Sequence, residues 1–191
     1  MAHSPTYKVP FRRRREQKTN YAKRLALLKS RELRMVVRKT NNQVIVQFVE
    51  AREAGDHVHA AAQSAELKKY GWKLHGGNIA AAYLTGFLAG GKAKKTGVSK
   101  AVLDLGLVTP VRGSRVFAAL KGAIDAGIHI PASEAAFPKP ERLKGKHVEA
   151  WLSKNPGLGN AFSRYKKEGV DYSKYSSYVE AAKAAIEQEL K

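Results

Sequence analysis

"RMVVRKTNNQVIVQFVEA", residues 34–51, decides the fold. Two runs rich in β-branched residues flank Asn41-Asn42, and the apolar pattern has a period of two. Asparagine tolerates positive φ, so the pair predicts the turn of a β-hairpin. A third short strand is expected near "HVHAAA" (57–62), after a turn at Ala54–Asp56.

Working outward toward the N-terminus, "NYAKRLALLKSR" (20–31) turns helical. Asn20 can cap this segment, and Tyr21, Leu25 and Leu28 share one face. Residues 1–20 carry Pro5 and Pro10 and little apolar periodicity. They predict an extended arm, disordered on its own.

Toward the C-terminus, "SAELKKYGWKLHGGN" (64–78) is a connector with a short helical turn beginning near Ser64 and Leu67. Asn78 then opens a helix. Ile79, Ala82, Tyr83, Gly86 and Phe87 recur at helical spacing, and Gly90-Gly91 is the expected stop. "GVSKAVLDLG" (97–106) predicts a short strand buried on both faces. "SRVFAALKGAIDAG" (114–127) predicts a helix with Val116, Leu120, Ala123 and Ile124 inward and Gly127 as its C-cap. "IHIP" (128–131) predicts an edge strand stopped by Pro131.

The order β-β-β-α-β-α-β implies a mixed α/β fold: a mixed sheet with crossover helices. Beyond residue 131 come a proline-bearing linker, a helix over 146–153, a Gly/Asn/Tyr-rich loop and a last helix. "SYVE" (Ser177 to Glu180) is the expected capping box of that helix. This tail has too few large apolar residues to fold alone and is expected to pack on the main domain or on a partner. Three segments result: a basic arm with a short helix (1–31), a mixed α/β core (32–131), and a linker with a helical extension (132–191).

The 191 residues carry a formal charge of +19. Such a balance repels itself and calls for a polyanion, either nucleic acid or an acidic membrane surface. Thirteen of the Lys and Arg residues, against Glu16 and Glu32, fall within residues 1–40, so over half of the net charge sits at one end. No apolar run reaches the roughly 18 residues of a membrane span, no signal-peptide core follows the N-terminal basic residues, and the arm lacks the broad apolar face of an interfacial helix. With no cysteine, disulfides and thiolate metal sites are excluded.

Arg12, Arg13, Arg14 and Arg15 stand side by side. Each guanidinium is permanently charged, with five donors and no acceptor, and pairs well with phosphate oxygens. Tyr7, Phe11 and Tyr21 are interleaved and suited to stacking on bases or ribose. The alternative is a solvated tail or a nuclear targeting signal, but basicity extends well beyond this run.

Other motifs resolve mainly to structure. "GFLAGGKA" (86–93) matches G-x-x-x-x-G-K, yet Ala93 stands where a hydroxyl should ligate magnesium. The expected place at a helix C-terminus also has the wrong dipole for phosphate. "DHVH" sets His57 and His59 on one strand face, with no third ligand at a recognisable spacing and His75 distant. They predict exposed sheet histidines, and no metal or cofactor is expected. Asp104 follows a strand without carboxylate partners for metal chemistry, and is expected to cap or brace the next loop. In "TPVRGSR" (109–115), Arg112 and Arg115 flank the start of a helix, either as a second anion contact or as surface arginines.

"KVPFRRRREQKTNYAKRLALL" with "RMVVRKTNNQVIVQFVEAREAGD", and later "AELKKYGWKLHGGNIAAAYLTG", "VLDLGL" and "VFAALKGAIDAGIHIP", resemble the 5S-rRNA-binding family of the large ribosomal subunit, the family numbered eighteen there, in its archaeal–eukaryotic branch. The likeness runs from about Lys8 to Pro140. It implies a non-catalytic structural constituent of the cytoplasmic ribosome that binds 5S rRNA. The family helps attach that RNA to the large-subunit rRNA in the central protuberance, beside neighbouring large-subunit proteins, with no membrane and no small-molecule substrate. It also implies a ribonuclease-H-like topology without the metal-binding acids.

Carried over, the RNA-entering segment is Lys8, Phe11, Arg12 to Arg15, Lys18, Tyr21, Lys23 and Arg24. Arg34, Arg38 and Lys39 lie beside it, and Arg112 and Arg115 fall in a loop that can also meet RNA. Two competitors are a metal-dependent RNA-processing enzyme and a nonspecific nucleic-acid-binding architectural protein.

Overall fold

The computed structural model describes residues 4–154, 171 and 174–190. The hairpin that opens the fold is present. β1 (Arg34–Lys39) pairs antiparallel with β2 (Val44–Arg52), in register from Arg34 opposite Val49 to Lys39 opposite Val44. The turn differs from the expected one. Asn41 and Asn42 are not among the positive-φ residues. A longer loop over 40–43 is closed by Thr40, whose N–H reaches the Gln43 carbonyl at 2.8 Å and whose hydroxyl accepts from the Gln43 N–H at 2.9 Å. A Thr side chain thus supplies the closure that a left-handed Asn would otherwise give.

β3 (Gly55–Gln63) adds antiparallel to β2, and β4 (Val102–Asp104) adds parallel to β1, giving the order β3-β2-β1-β4. Val102 and Leu103 are only half-buried rather than covered on both faces, because β4 ends the sheet. The expected strand at 128–131 reduces to a single parallel bridge between Lys100 and His129. Ile128 and Ile130 are buried on either side of it, and Pro131 has no N–H with which to continue a ladder.

One face of the sheet presents Met35, Val37, Val44, Val46 and Phe48 to the core. Two helices cover it: α3 (Ile79–Lys95) and α4 (Arg115–Asp125). Asn78 caps α3 as expected, its Oδ1 accepting from the Ala81 N–H at 2.6 Å. Gly90 and Gly91 do not stop the helix, which runs on to Lys95. Their role is close approach. A Cβ on Gly86 would overlap the Ala119 carbonyl, one on Gly90 would crowd Ala123 and Ala126, and one on Gly91 would strike Leu190. On α4, Gly122 meets the Tyr83 carbonyl in the same way. The phosphate-loop spacing is therefore helix interior, and Lys92 pairs with Glu66 of the 3-10 segment Ser64–Tyr70.

The C-terminal region closes the core. After the 3-10 turn Glu134–Ala136 come α5 (Pro140–Leu143), α6 (Lys146–Lys154) and α7 (Tyr175–Leu190). Tyr175, Val179, Ala182 and Ile186 of α7 join the main core, with the Tyr175 ring edge-on to Trp72. The tail thus packs on the main domain. α7 starts ahead of Ser177, so the expected capping box lies inside the helix: Ser177 donates to the Lys174 carbonyl and Glu180 pairs with Lys144. The Gly/Asn/Tyr-rich loop lies outside the described residues.

The opposite face of the sheet carries charge. Arg34 of β1 is only 2% exposed, with its Nη1 3.1 Å from Asp104 Oδ2 and its Nη2 2.9 Å from Asp56 Oδ2. The Asp56 contact meets the distance of an ion pair but is off-line for a hydrogen bond, and Arg34 Nε has no acceptor among the described residues. Asp104 also accepts from Arg38 at 3.2 Å and from the Gly106 N–H at 2.8 Å, so it braces the loop after its strand as expected. Asp56 takes a bidentate pair from Arg24, at 2.7 and 3.0 Å. Arg24 belongs to α2 (Tyr21–Leu28), a helix that buries no residue. Asp56 is therefore the main tether of α2 to the sheet. The Arg24 hydrogen bonds, helped by Arg34 and opposed by burial, hold its carboxyl below the usual aspartate range.

Three substitutions test this packing. Gly86→Ala forces the α3–α4 crossing apart and lowers stability by roughly 1–3 kcal/mol; an unchanged urea midpoint contradicts it. Asp104→Ala leaves Arg34 buried and undercompensated and costs about 3–5 kcal/mol. Asp56→Asn loosens α2 instead. Because the folded Asp56 pKa is depressed, its contribution is complete above the unfolded value of about 3.9 and fades as pH falls through the folded value. Protection of the α2 amides, measured against their intrinsic exchange rates, then falls in acid for the native chain and is already reduced near neutrality in Asp56→Asn.

Candidate nucleic-acid interface

The arm is not wholly extended. Arg12–Arg15 form one helical turn, α1, entered from Phe11. Gln17, at φ 52°, reverses the chain, and the Lys18 N–H returns to the Arg13 carbonyl at 2.9 Å. Asn20 caps α2 by accepting from the Lys23 N–H at 3.1 Å. All four arginines of α1 are exposed. Arg12 lies 3.8 Å from Glu16, Arg13 donates to the Thr19 hydroxyl, and Lys18 pairs with Glu16. Among the described residues, Arg14 and Arg15 have no carboxylate partner, nor do Lys8 and Lys23. Phe11 is 70% exposed and packs at 5.1 Å, tilted, on Tyr21. Tyr7 is exposed as well.

The cations expected to act together thus divide into two sets. Lys8, Arg12 to Arg15, Lys18 and Lys23 project from the arm and α2 with most of their donors open to solvent. Arg24 and Arg34 are committed to Asp56 and Asp104. Arg34, expected beside the RNA-entering segment as a contact, is buried: guanidinium donors facing two carboxylates at the sheet are held there rather than presented. Arg38 is intermediate, bonded to Asp104 on one side while its side chain stays 45% exposed. A cleft of about 980 Å³ lies between arm and sheet, bordered by Arg13, Lys18, Lys23, Arg38, Gln47 and Gly106.

A second cleft, of about 1150 Å³, opens at the start of α4. Lys39, Arg112, Lys139, Arg142 and Lys146 line it, with Glu141 as the one acid among the described residues. Arg112 is exposed. Arg115 commits one nitrogen to the fold: its Nη1 donates to the Thr40 carbonyl at 3.0 Å and the Gly77 carbonyl at 2.8 Å, which fastens the β1–β2 loop to the Gly76-Gly77 break. The Ser114 side chain makes no capping bond. Burial, then the nearby Arg142 charge, lowers the pKa of His147 in the same cleft. Lys139, Arg142 and Lys146 had no place in the expected interface, because "PKPERLKGK" reads as a linker. Its alternating basic residues were the available signal.

Asp104, ringed by Arg34, Arg38 and the Gly106 N–H, is occupied as a structural acceptor. No described helix is long and apolar enough to cross a membrane.

Comparison with known proteins agrees with this geometry. The family model described as "Ribosomal large subunit proteins 60S L5, and 50S L18" matches residues 5–97 and 91–133, which takes in the arm, the sheet, α3 and α4. The large ribosomal subunit protein uL18 of Aeropyrum pernix is 52% identical over 197 aligned positions, covering 100% of this chain and 92% of that one. The protein of the same name from Korarchaeum cryptofilum is 52% identical over 174 positions, covering 90% and 89%. A basic arm with open guanidiniums, braced on a mixed sheet and matched along the chain in this way, belongs to the family of ribosomal large subunit proteins 60S L5 and 50S L18.

Proposed function

We propose that this chain binds 5S rRNA and helps attach it to the large-subunit rRNA in the central protuberance. Family membership makes it a large-subunit ribosomal protein of the cytoplasmic ribosome, with ribosome components as partners. The observation that supports the finer reading is the division of its arginines. Those that build the sheet's charged face are ion-paired, while Arg13, Arg14 and Arg15 stand exposed on a helical turn beside exposed Phe11. Charged donors without acceptors are an interface awaiting phosphate.

In this reading, residues 1–31 enter the RNA, 32–131 are the platform, and the extension 132–191 contributes the far wall of the second basic cleft through residues 137–150 and Tyr175. Lys8, Arg12 to Arg15, Lys18 and Lys23 neutralise backbone phosphates, while Phe11, Tyr21 and Tyr7 offer faces to unstacked bases. Arg24 and Arg34 are positioning residues that aim α2. Arg38 offers its open side to the first cleft. Lys39 and Arg112 form the second contact, with Arg115 holding their loop. No chemical step, cofactor or resident metal enters this role. Phosphate contacts set affinity; RNA shape, 2′-hydroxyls and splayed bases set specificity.

Fixing the arm costs about 1–2 kcal/mol per ordered residue, which counterion release must offset. If the arm neutralises about six phosphates, log affinity for 5S rRNA falls with log salt at a slope near −5. Replacing Arg12 to Arg15 together by Ala makes that slope shallower by about 3 and weakens binding strongly at moderate salt, with the fold intact because none of the four is buried. Filter binding across a salt series checks this; an unchanged slope removes the arm from the interface. Equal affinity for duplex DNA and 5S rRNA at one salt concentration would instead mark a nonspecific architectural protein.

A further inference from the structure

Away from both clefts, the β2–β3 register assembles a set of side chains whose spacing along the chain conceals it. Glu50 pairs with His57 across the strands, and the register slips between Phe48 and Val49, next to His59 on the edge strand. One ligand-type atom from each of Glu50, His57 and His59 lies within 4.8 Å of the other two. His59 Nε2 is 3.1 Å from Glu50 Oε2, and the two imidazole rings meet edge-on at 4.8 Å between centroids. We propose that Glu50, His57 and His59 bind one first-row divalent cation, zinc above all, across the β2–β3 hairpin.

The donor set decides the class of ion. Two imidazole nitrogens and one carboxylate oxygen suit zinc and its borderline neighbours, whereas magnesium and calcium demand oxygen cages. Three protein ligands with an open fourth position are the usual zinc arrangement where water completes the sphere. With metal–ligand bonds of about 2.0–2.2 Å, ligand atoms in a tetrahedral site sit roughly 3.3–3.5 Å apart. The Glu50–His59 pair, hydrogen-bonded at 3.1 Å, has only to open by a few tenths of an ångström as the ion replaces the shared proton. His57 is exposed, so its χ angles can close the remainder without disturbing the core.

The competitor for the carboxylate is Arg52, whose Nε and Nη2 lie 3.0 and 2.8 Å from the same Oε2. Its side chain is 55% exposed, and a surface pair of this kind is weak enough for a bound dication to displace. The site is one residue from Asp56, the tether of α2, so an ion there stiffens the hairpin on which the arm's anchor stands.

The test uses the full-length, untagged protein, stripped with chelator and titrated with Zn2+ by calorimetry, and with Co2+ followed by visible absorption. The expected result is one tight equivalent and a Co2+ d–d spectrum of low coordination number. Both are lost in His57→Ala and in His59→Ala, with at least a tenfold weakening in Glu50→Gln. Arg52→Ala binds as tightly as the native chain or more tightly. Should His59→Ala lower thermal stability, His57→Ala, altered only at an exposed side chain, carries the comparison. Zn2+ affinity and Co2+ spectrum in the His57→Ala/His59→Ala double variant equal to the native chain's would assign any binding to His3, His75, His129 or His147 and overturn the site, as would an absence of binding by the native chain.

Discussion

A guanidinium buried between two carboxylates governs how this protein is arranged. Arg34 lies at the start of β1, and its partners come from distant parts of the chain: Asp56 from the edge strand β3 and Asp104 from β4. Removing charge from water is costly, and the cost is met only if partners are close and themselves well held. Asp104 is held by Arg38 and Gly106, and Asp56 by Arg24. The alternating chain Arg24–Asp56–Arg34–Asp104–Arg38 therefore joins the helix that follows the arm to three strands of one sheet. Arg34 nonetheless has donors without bonds, so the network specifies geometry more than it adds stability.

This arrangement explains how so basic a chain keeps its exposed cations available. Asp56 and Asp104 are taken up by Arg24, Arg34 and Arg38, and Glu16 offers the arm only exposed pairs with Arg12 and Lys18. What is left over at Arg13, Arg14 and Arg15 is a row of donors on one helical turn, placed by a helix whose apolar residues are at most half-buried. An arm tethered by one bidentate pair can adjust its direction while its root stays fixed. The second basic cleft arises differently, from the C-terminal helices folding back. α7 buries Tyr175 against Trp72, which brings α5 and α6, with Arg142 and Lys146, opposite Arg112.

Local chemistry was the legible part. The hairpin, the Asn20 and Asn78 caps, the α4 core stripe and the bracing role of Asp104 depend on neighbouring residues or on a simple period, and each is where the pattern put it. What escaped depends on contacts between remote segments. Gly90 and Gly91 look like a helix stop because nothing local announces that α4 and α7 will press against them. Arg34 looks like one more surface cation, since its two carboxylates lie 22 and 70 positions further along the chain. Arg115 looks available until the Thr40 and Gly77 carbonyls fold onto it. Glu50 reaches His57 and His59 only through strand register with a slip in it. Charge composition pointed to a polyanionic partner, but only packing distinguishes an arginine that builds from one left open to solvent.

That distinction is the centre of the account, and arginine-selective chemical modification tests it most directly. The native protein, free and bound to 5S rRNA, is treated with phenylglyoxal and mapped by mass spectrometry. The account predicts that Arg12 to Arg15 react readily in the free protein and become protected on the RNA, while Arg34 stays unreactive in both states. Reactivity of Arg12 to Arg15 that RNA leaves unchanged, or free reaction of Arg34 in the folded protein, would contradict it.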